Sequence, residues 1–571
     1  MQTCYSPVKS FFLFQLCIPV LSFSLVLLTA CGGGGHSADN TAVFVTIEIE
    51  EPEFLMNLSG QTGWFAPPVV FDLDHDGSNE LIAAQYDLFV YNSQGGLLAR
   101  GQEGSGRVYA PHVVADLDDD GITEIAVGRG HEVIVYEWIS QGLSLKAGWP
   151  ADTTSGGNEP EIRGMAAGDL DGNSTIEIAV TTTQTVPTSS GGAQVFVFSH
   201  DGSIFQPAGG HNPAWPRYNA LSGPGNDADR NGQGHSGYGC YGLNVAVGNI
   251  DDDSELEVIA TYDNHHIQAF DYDGVAIDSA PWFTNRSSSY LNERLTWGQF
   301  IRWADPGVEE DHYHLHQGTW PHPDWTEWLQ WTASPPGIVD LDGDGKNEVI
   351  GMPNIEMHVP YVTQAYGIMV LEGSHGDGSR SAMRKAGWEV LPRGESPVNV
   401  SGWYPPSGVP AALTADIRGD SHPEIVVSLN DGFMYAYDYQ GNRLWRHNYG
   451  HGKPIMYSSE PLAADLNRDG SAEIIFTTYG DPDTSDSGNL VILGKDGTLY
   501  CDLPLPGAGH NGNGNGAPAV SISDLDNDGQ LEIFAQTFDH GIDIFTVPGS
   551  DSSMMIWTDA RGDRLRSGCR E

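Results

Sequence analysis

The chain has 571 residues, with 76 Asp and Glu against 26 Lys and Arg, a formal charge of −50. Hydrophobic residues make up 39% and aromatics 10%, enough for a large core and too much for general disorder. So acidic a chain excludes nucleic acid or anionic lipid as a partner met through a basic patch, and it suits cations.

At the N-terminus, Lys9 precedes an apolar run from Phe11 to Leu28, about the length of a secretory signal's hydrophobic core. The run ends in Leu28-Thr29-Ala30-Cys31, which resembles the lipobox of bacterial lipoproteins. The resemblance implies a signal peptide over residues 1–30 and acylation of Cys31. Gly32, where an inner-membrane protein of this kind would carry Asp, implies lipid anchoring at the outer membrane or cell surface. Several acyl chains on one Cys anchor stably where one is marginal. An ordinary cleaved signal and a single membrane anchor are the alternatives. Residues 31–58 then read as lipidated Cys, glycine tether and N-terminal strand, and 59–571 as the main domain. Of six cysteines, Cys240, Cys501 and Cys569 follow the lipid site, so at most one intramolecular bridge forms, with Cys501–Cys569 preferred.

One nine-residue motif then recurs eight times, starting at Asp72, Asp116, Asp169, Asn249, Asp340, Asp416, Asp465 and Asp524 and ending on a Glu each time. A short apolar stretch precedes each copy, as in Pro67 to Phe71, and an aliphatic residue follows each Glu, as in Leu81 or Ile425. Alternating strands come next, such as Val195-Phe-Val-Phe198, then tight turns such as Asp201-Gly202 and Asp496-Gly497. Four short antiparallel strands per unit, eight units long, predict an all-β fold: an eight-bladed β-propeller with each motif between strands one and two.

The motif has a chemical logic. Acids at positions 1, 3 and 5 of a tight loop converge, and the carbonyl of position 7 and the Glu at position 9 complete an oxygen cage suited to Ca²⁺. The expected calcium ligands are Asp72, Asp74, Asp76, Ser78 and Glu80 in the first copy and Asp116, Asp118, Asp120, Ile122 and Glu124 in the second. The third offers Asp169, Asp171, Asn173, Thr175 and Glu177, and the fourth Asn249, Asp251, Asp253, Glu255 and Glu257. The fifth offers Asp340, Asp342, Asp344, Lys346 and Glu348, the seventh Asp465, Asn467, Asp469, Ser471 and Glu473, and the eighth Asp524, Asp526, Asp528, Gln530 and Glu532. Copies one, two, five and eight carry full acid sets. Asn173, Asn249 and Asn467 each cost a charge and weaken their sites. In the sixth copy Arg418 stands at position 3, and that loop should hold no ion. An EF-hand is excluded because position 12 of the first copy is Ala83 and the exit is β-patterned. These repeats resemble the FG-GAP/VCBS repeats of integrin-α-type propellers, over roughly residues 60–571. The resemblance implies the fold and the ion, but no particular activity.

The third to fifth spacings are long (169 to 249, 249 to 340, 340 to 416), so insertions lie near 203–240, 278–335 and 353–410. Long loops on a rigid scaffold concentrate binding sites. The middle insertion holds Trp282, Trp297, Trp303, Trp320, Trp325, Trp328 and Trp331, with His312, His314 and His316. Its indoles are either a face for glycan or protein, with Trp320, Trp325 and the three histidines as candidate ligand residues, or a small satellite core. Arg561-Gly562-Asp563 spells an integrin-recognition tripeptide, within a stretch that also resembles the segment following a final VCBS-type blade. The sequence has no nucleophile-elbow, zincin or phosphate-loop signature. A calcium-stabilised surface module binding glycan or protein is therefore the expected function. The alternative is a carbohydrate-active enzyme resembling the eight-bladed rhamnogalacturonan lyases. A metal or redox enzyme using the His-rich insertion and a purely structural role are further alternatives.

Overall fold

Each motif is a turn between two antiparallel strands, and its final Glu opens the second, except in the eighth copy, where Leu531 does. Val69–Phe71 and Glu80–Ala84 flank the first copy, with Phe71 paired to Glu80. The same pairing recurs in every other copy, from Ala115 with Glu124 to Ser523 with Glu532. Third and fourth strands follow, as in Phe433–Tyr437 and Arg443–Asn448 of the sixth unit. The 3–4 turns place Gly202, Gly274, Gly441 and Gly497 at φ near +80°, where a side chain would be strained. The result is a nearly all-β, eight-bladed propeller. This computed structural model describes residues 49–569 apart from 61–65, 85, 155–158, 183–194, 207–244, 263–265, 284–294, 299–300, 302, 308–326, 332–333, 358–363, 395–409, 452–456, 481–486, 507–518 and 538–539.

The core lies between blades. Ile82 and Val90 of the first pack on Ile125 and Val127 of the second. Leu81 and Ala83 pack on Phe534 and Ile544 of the eighth, which closes the ring. Closure also uses the N-terminal strand Glu53–Leu58, which pairs with Gly541–Val547 as the outer strand of the last blade. This joins the two ends of the chain and leaves the ring without an open seam. Tryptophans on or just after the fourth strands lock neighbours together. Trp149, Trp388 and Trp445 donate their indole N–H to the carbonyls of His200, Tyr439 and Lys495 in the next blade's 3–4 turn.

The C-terminal segment lies in the central channel. The first strand of each blade presents its free edge there. In five blades the backbone N–H two residues before the motif donates to this segment. Ile522, Val114, Ala167, Val247 and Ile338 bond the carbonyls of Thr558, Arg564, Leu565, Ser567 and Gly568 at 2.7–3.3 Å. Arg561 and Arg566 are buried within it. Arg561 donates to the carbonyls of Met165 and Val245, and Arg566 to that of His112. Arg564 lies 4.0 Å over the Phe71 ring. The Arg-Gly-Asp tripeptide is thus not offered at the surface: Arg561 is 1% exposed and tied to two blades.

Cys501 and Cys569 are not bridged to each other, which corrects the preferred disulfide. Cys501 sits on an outer strand of the seventh blade, whereas Cys569 lies in the channel beside Ile338 of the fifth. Cys240 lies outside the described residues.

Candidate metal loops and the opposite face

Seven of the nine-residue loops share one backbone scaffold, and the fourth departs from it, Asn249 donating its side-chain amide N–H to the Asp253 carbonyl at 2.7 Å. In the first, Asp72 accepts from the N–H groups of Asp76 and Gly77 at 3.0 and 2.9 Å, and Asp76 accepts from Ser78 at 2.8 Å. The Glu at position 9 accepts from the N–H of position 2 in all eight copies, Leu73 to Glu80 through Leu525 to Glu532, at 2.6–3.0 Å. One Glu oxygen is therefore structural, and this bond leaves the other open to a further partner. Position 6 has positive φ in every copy but the fourth, as expected of Gly77, Gly121 and Gly345 and also at Ser174 and Ser421. Position 4 has it too, at His75, Asp119, Gly172, Gly343, Gly419, Arg468 and Asn527, a turn requirement that the varied residue types at this position conceal.

The carboxylates do converge. Asp72, Asp74 and Glu80 bring oxygens within 4.8 Å of one another, as do Asp116, Asp118 and Glu124; Asp169, Asp171 and Glu177; Asp251, Asp253 and Glu257; and Asp340, Asp342 and Asp344. Burial and the neighbouring aspartates push the Glu80 carboxyl up to about 7 and that of Glu177 to about 8. Burial, with Asp251 and Asp253 nearby, also raises the Glu257 carboxyl well above the usual carboxylate range. The buried Oδ1 of Asp171 and Oε1 of Glu257 have no hydrogen-bond partner. Orphaned anionic oxygens facing other carboxylates are a donor set that a hard divalent cation fits.

Three loops differ. In the second, the Lys146 ammonium lies 2.8 Å from Asp118 and 3.0 Å from Glu124. In the fifth, Lys385 lies 2.7 Å from both Asp342 and Glu348. In the sixth, the Arg418 guanidinium reaches Glu424 and Asp420, each at 2.8 Å. Burial disfavours both charged lysines, but their bonds to the two carboxylates outweigh it and raise both pKa values. The lysines come from fourth strands, far from the motif in sequence. The signal that could have found them is a repeated tetrapeptide, Lys146-Ala-Gly-Trp149 and Lys385-Ala-Gly-Trp388. In the seventh loop, Asn467 donates to Glu473 at 3.2 Å and Lys495 to Ser471 at 2.6 Å.

Antiparallel strand order separates two faces. The motif loops and the 3–4 turns share one. The 2–3 connections and the links between blades share the other, and every long insertion starts and ends there. The segment after Ile204 leads to Val245, that after Ala276 to Gly337, and that after Gly351 to Met369. A separate small sheet, Glu327–Gln330, Asn354–Met357 and Gln364–Tyr366, is built from the insertions. Trp297, Trp303 and Trp331 of the middle insertion are at most 1% exposed, and Trp297 and Trp331 pack into the core between the fourth and fifth blades, with Ile259, Ile338 and Val349, rather than forming a ligand face or a separate satellite core. Trp331 donates to the Ile301 carbonyl at 2.6 Å, and its ring fills the space beside Gly351. Trp320, Trp325, His312, His314, His316 and the lipid-site Cys31 lie outside the described residues.

Comparison of the sequence with protein-family profiles and with curated proteins finds no match. Among solved structures, the Dos1 propeller aligns over 88% of this chain and 97% of its own at 10% identity and a TM-score of 0.43. The N-terminal part of BBS1, solved in complex with ARL6, aligns over 88% and 98% at 9% identity and 0.39. BamB from Moraxella catarrhalis aligns over 86% and 98% at 12% identity and 0.37. Among the described residues, no helix is long and apolar enough to cross a membrane.

Proposed function

We propose that the chain is a calcium-stabilised propeller of the FG-GAP/VCBS kind, lipid-anchored through Cys31 at the bacterial outer-membrane surface. It acts as a binding module for a glycan or protein on the face of the long connections. The observation that carries the reading is the division of labour between faces. Repeated carboxylate loops with orphaned buried oxygens occupy one face, and the insertions rise from the other. The C-terminal segment in the channel supports it, because contacts with a large ligand then fall to the rim. In the first loop Asp72, Asp74, Asp76 and Glu80 would hold the ion, which supplies the positive charge that the converging carboxylates lack.

The test is calcium analysis of dialysed protein lacking its lipid, followed by a glycan array and a protein pull-down in calcium. Retained calcium and a ligand lost on shortening the 278–335 insertion support the proposal. Absence of calcium overturns its metal part, and a ligand indifferent to the insertion overturns its binding face.

A further inference from the structure

We infer that Lys146, Lys385 and Arg418 are built-in counter-cations that take the place of calcium in the second, fifth and sixth blades. Ion binding is thereby confined to the remaining loops. The inference rests on the calcium reading above and revises the expectation from motif acids alone. On that expectation the second and fifth loops, each with a full acid set, rank among the best calcium sites.

The geometry is shared by two blades of unrelated insertion length. Lys146 and Lys385 occupy one register of the fourth strand: their N–H groups donate to Val135 and Val370 of the third strand at 2.9 and 3.0 Å. Each ammonium then meets the acid at position 3 and the free oxygen of the Glu at position 9. These two carboxylates belong to the set that would ligate an ion, so ammonium and ion compete for the same oxygens. Arg418 reaches the same Glu oxygen from position 3 itself. In the other blades that strand register is occupied by Met56, Ala99, Phe205, Ile277, Trp445 and Cys501, none of them a cation. Orphaned oxygens do not separate the two groups of blades, since Asp118 and Asp342 keep an unpartnered Oδ1 as Asp171 does; what separates them is the cation bound to the position-3 acid and the Glu.

The chemistry follows from tethering. An ammonium fixed on the adjacent strand meets its carboxylates at high effective concentration, and a free ion must displace it. Both lysines are nearly buried, at 5% and 6% exposure, so displacement would also require finding them new partners.

Calcium stoichiometry of the full mature protein tests this, by native mass spectrometry and elemental analysis. The expected count is at most five, eight loops less these three. Lys146→Ile and Lys385→Ile, which install the residue that Ile277 supplies in the fourth blade, should each add one ion. A wild-type count of six to eight overturns the inference while leaving the calcium reading intact. A count of zero overturns the calcium reading itself. An unchanged count in both variants also overturns the inference, since the lysines would then not be what keeps calcium out. Should the variants fail to fold, terbium soaked into wild-type crystals gives the same answer. Anomalous peaks in the first, third, fourth and eighth loops and none beside Lys146, Lys385 or Arg418 support it, and a peak beside any of those three overturns it.

Discussion

The indole N–H of Trp388 donates to the carbonyl of Tyr439 at 3.0 Å, across the boundary between the fifth and sixth blades. The same bond joins the second blade to the third through Trp149 and His200. In both, a glycine precedes the Trp at φ near +90° and lets its backbone approach the neighbour's turn. Trp388→Phe keeps most of the packing and removes the bond, and should cost about 1 kcal/mol. Trp388→Ala should cost about 3–5 kcal/mol, because Trp388 is fully buried. Trp445, only half-buried, should cost less when truncated. Denaturant melts of the three variants check the order.

The channel segment gives a second prediction. Deleting residues 558–571 frees five inner-strand N–H groups at one position of five blades. It also leaves the carbonyls of Met165 and Val245 without the Arg561 guanidinium. Buried groups stripped of partners cost about 1–3 kcal/mol each, less where water enters. The truncated protein should melt lower and less cooperatively, and Arg561→Met should reproduce part of the loss. Equal melting of truncated and full-length protein would show the segment to be dispensable.

How much of this could be read from the residues depends on range. The blade count follows from the motif because the loop and its flanking strands are contiguous, and local chemistry dictates them. Ring closure by Glu53–Leu58 is invisible, since nothing in that segment names a partner nearly 500 residues away. The same holds for Thr558–Cys569, whose mixed polar sequence reads as a tail until five blades are seen to use its carbonyls. The tryptophans of the middle insertion could not be sorted by composition, because only packing separates a buried indole such as Trp303 from an available one. The candidate metal loops were legible as acid clusters. Their charge balance was not, because Lys146 and Lys385 arrive from another strand.

His112 gives a pH prediction. It precedes the inner strand of the second blade, fully buried, and its carbonyl accepts from Arg566. Burial, with Arg566 nearby, lowers its pKa from 6.5 to about 3. A depressed imidazole contributes stability above pH 6.5, which is lost as pH falls from 6.5 toward 3, because the unfolded chain binds the proton first. In saturating calcium, wild-type stability should fall between pH 6.5 and 4.5 more steeply than that of His112→Leu. The excess slope should approach about 1.4 kcal/mol per pH unit. Parallel curves would mean that the ring is protonated within the fold.

Removing calcium should destabilise the ring from the motif face alone. Without an ion, Asp72, Asp74 and Glu80 face one another with no counter-charge, and like charges a few ångströms apart repel. The melting temperature should therefore drop in excess EDTA and recover with calcium. Magnesium should restore it poorly, because it demands a tighter octahedral shell than a flexible loop supplies. The long connections start from the opposite face, so changes there should not alter the size of the drop. Trp320→Ala and Trp325→Ala are expected to weaken ligand binding and leave the EDTA shift unchanged. Trp303→Ala, at a fully buried position, should instead cost about 3–5 kcal/mol whether or not calcium is present. An EDTA shift that changes with Trp320 or Trp325 would show that the two faces communicate through the blades, and the division of labour between them would fail.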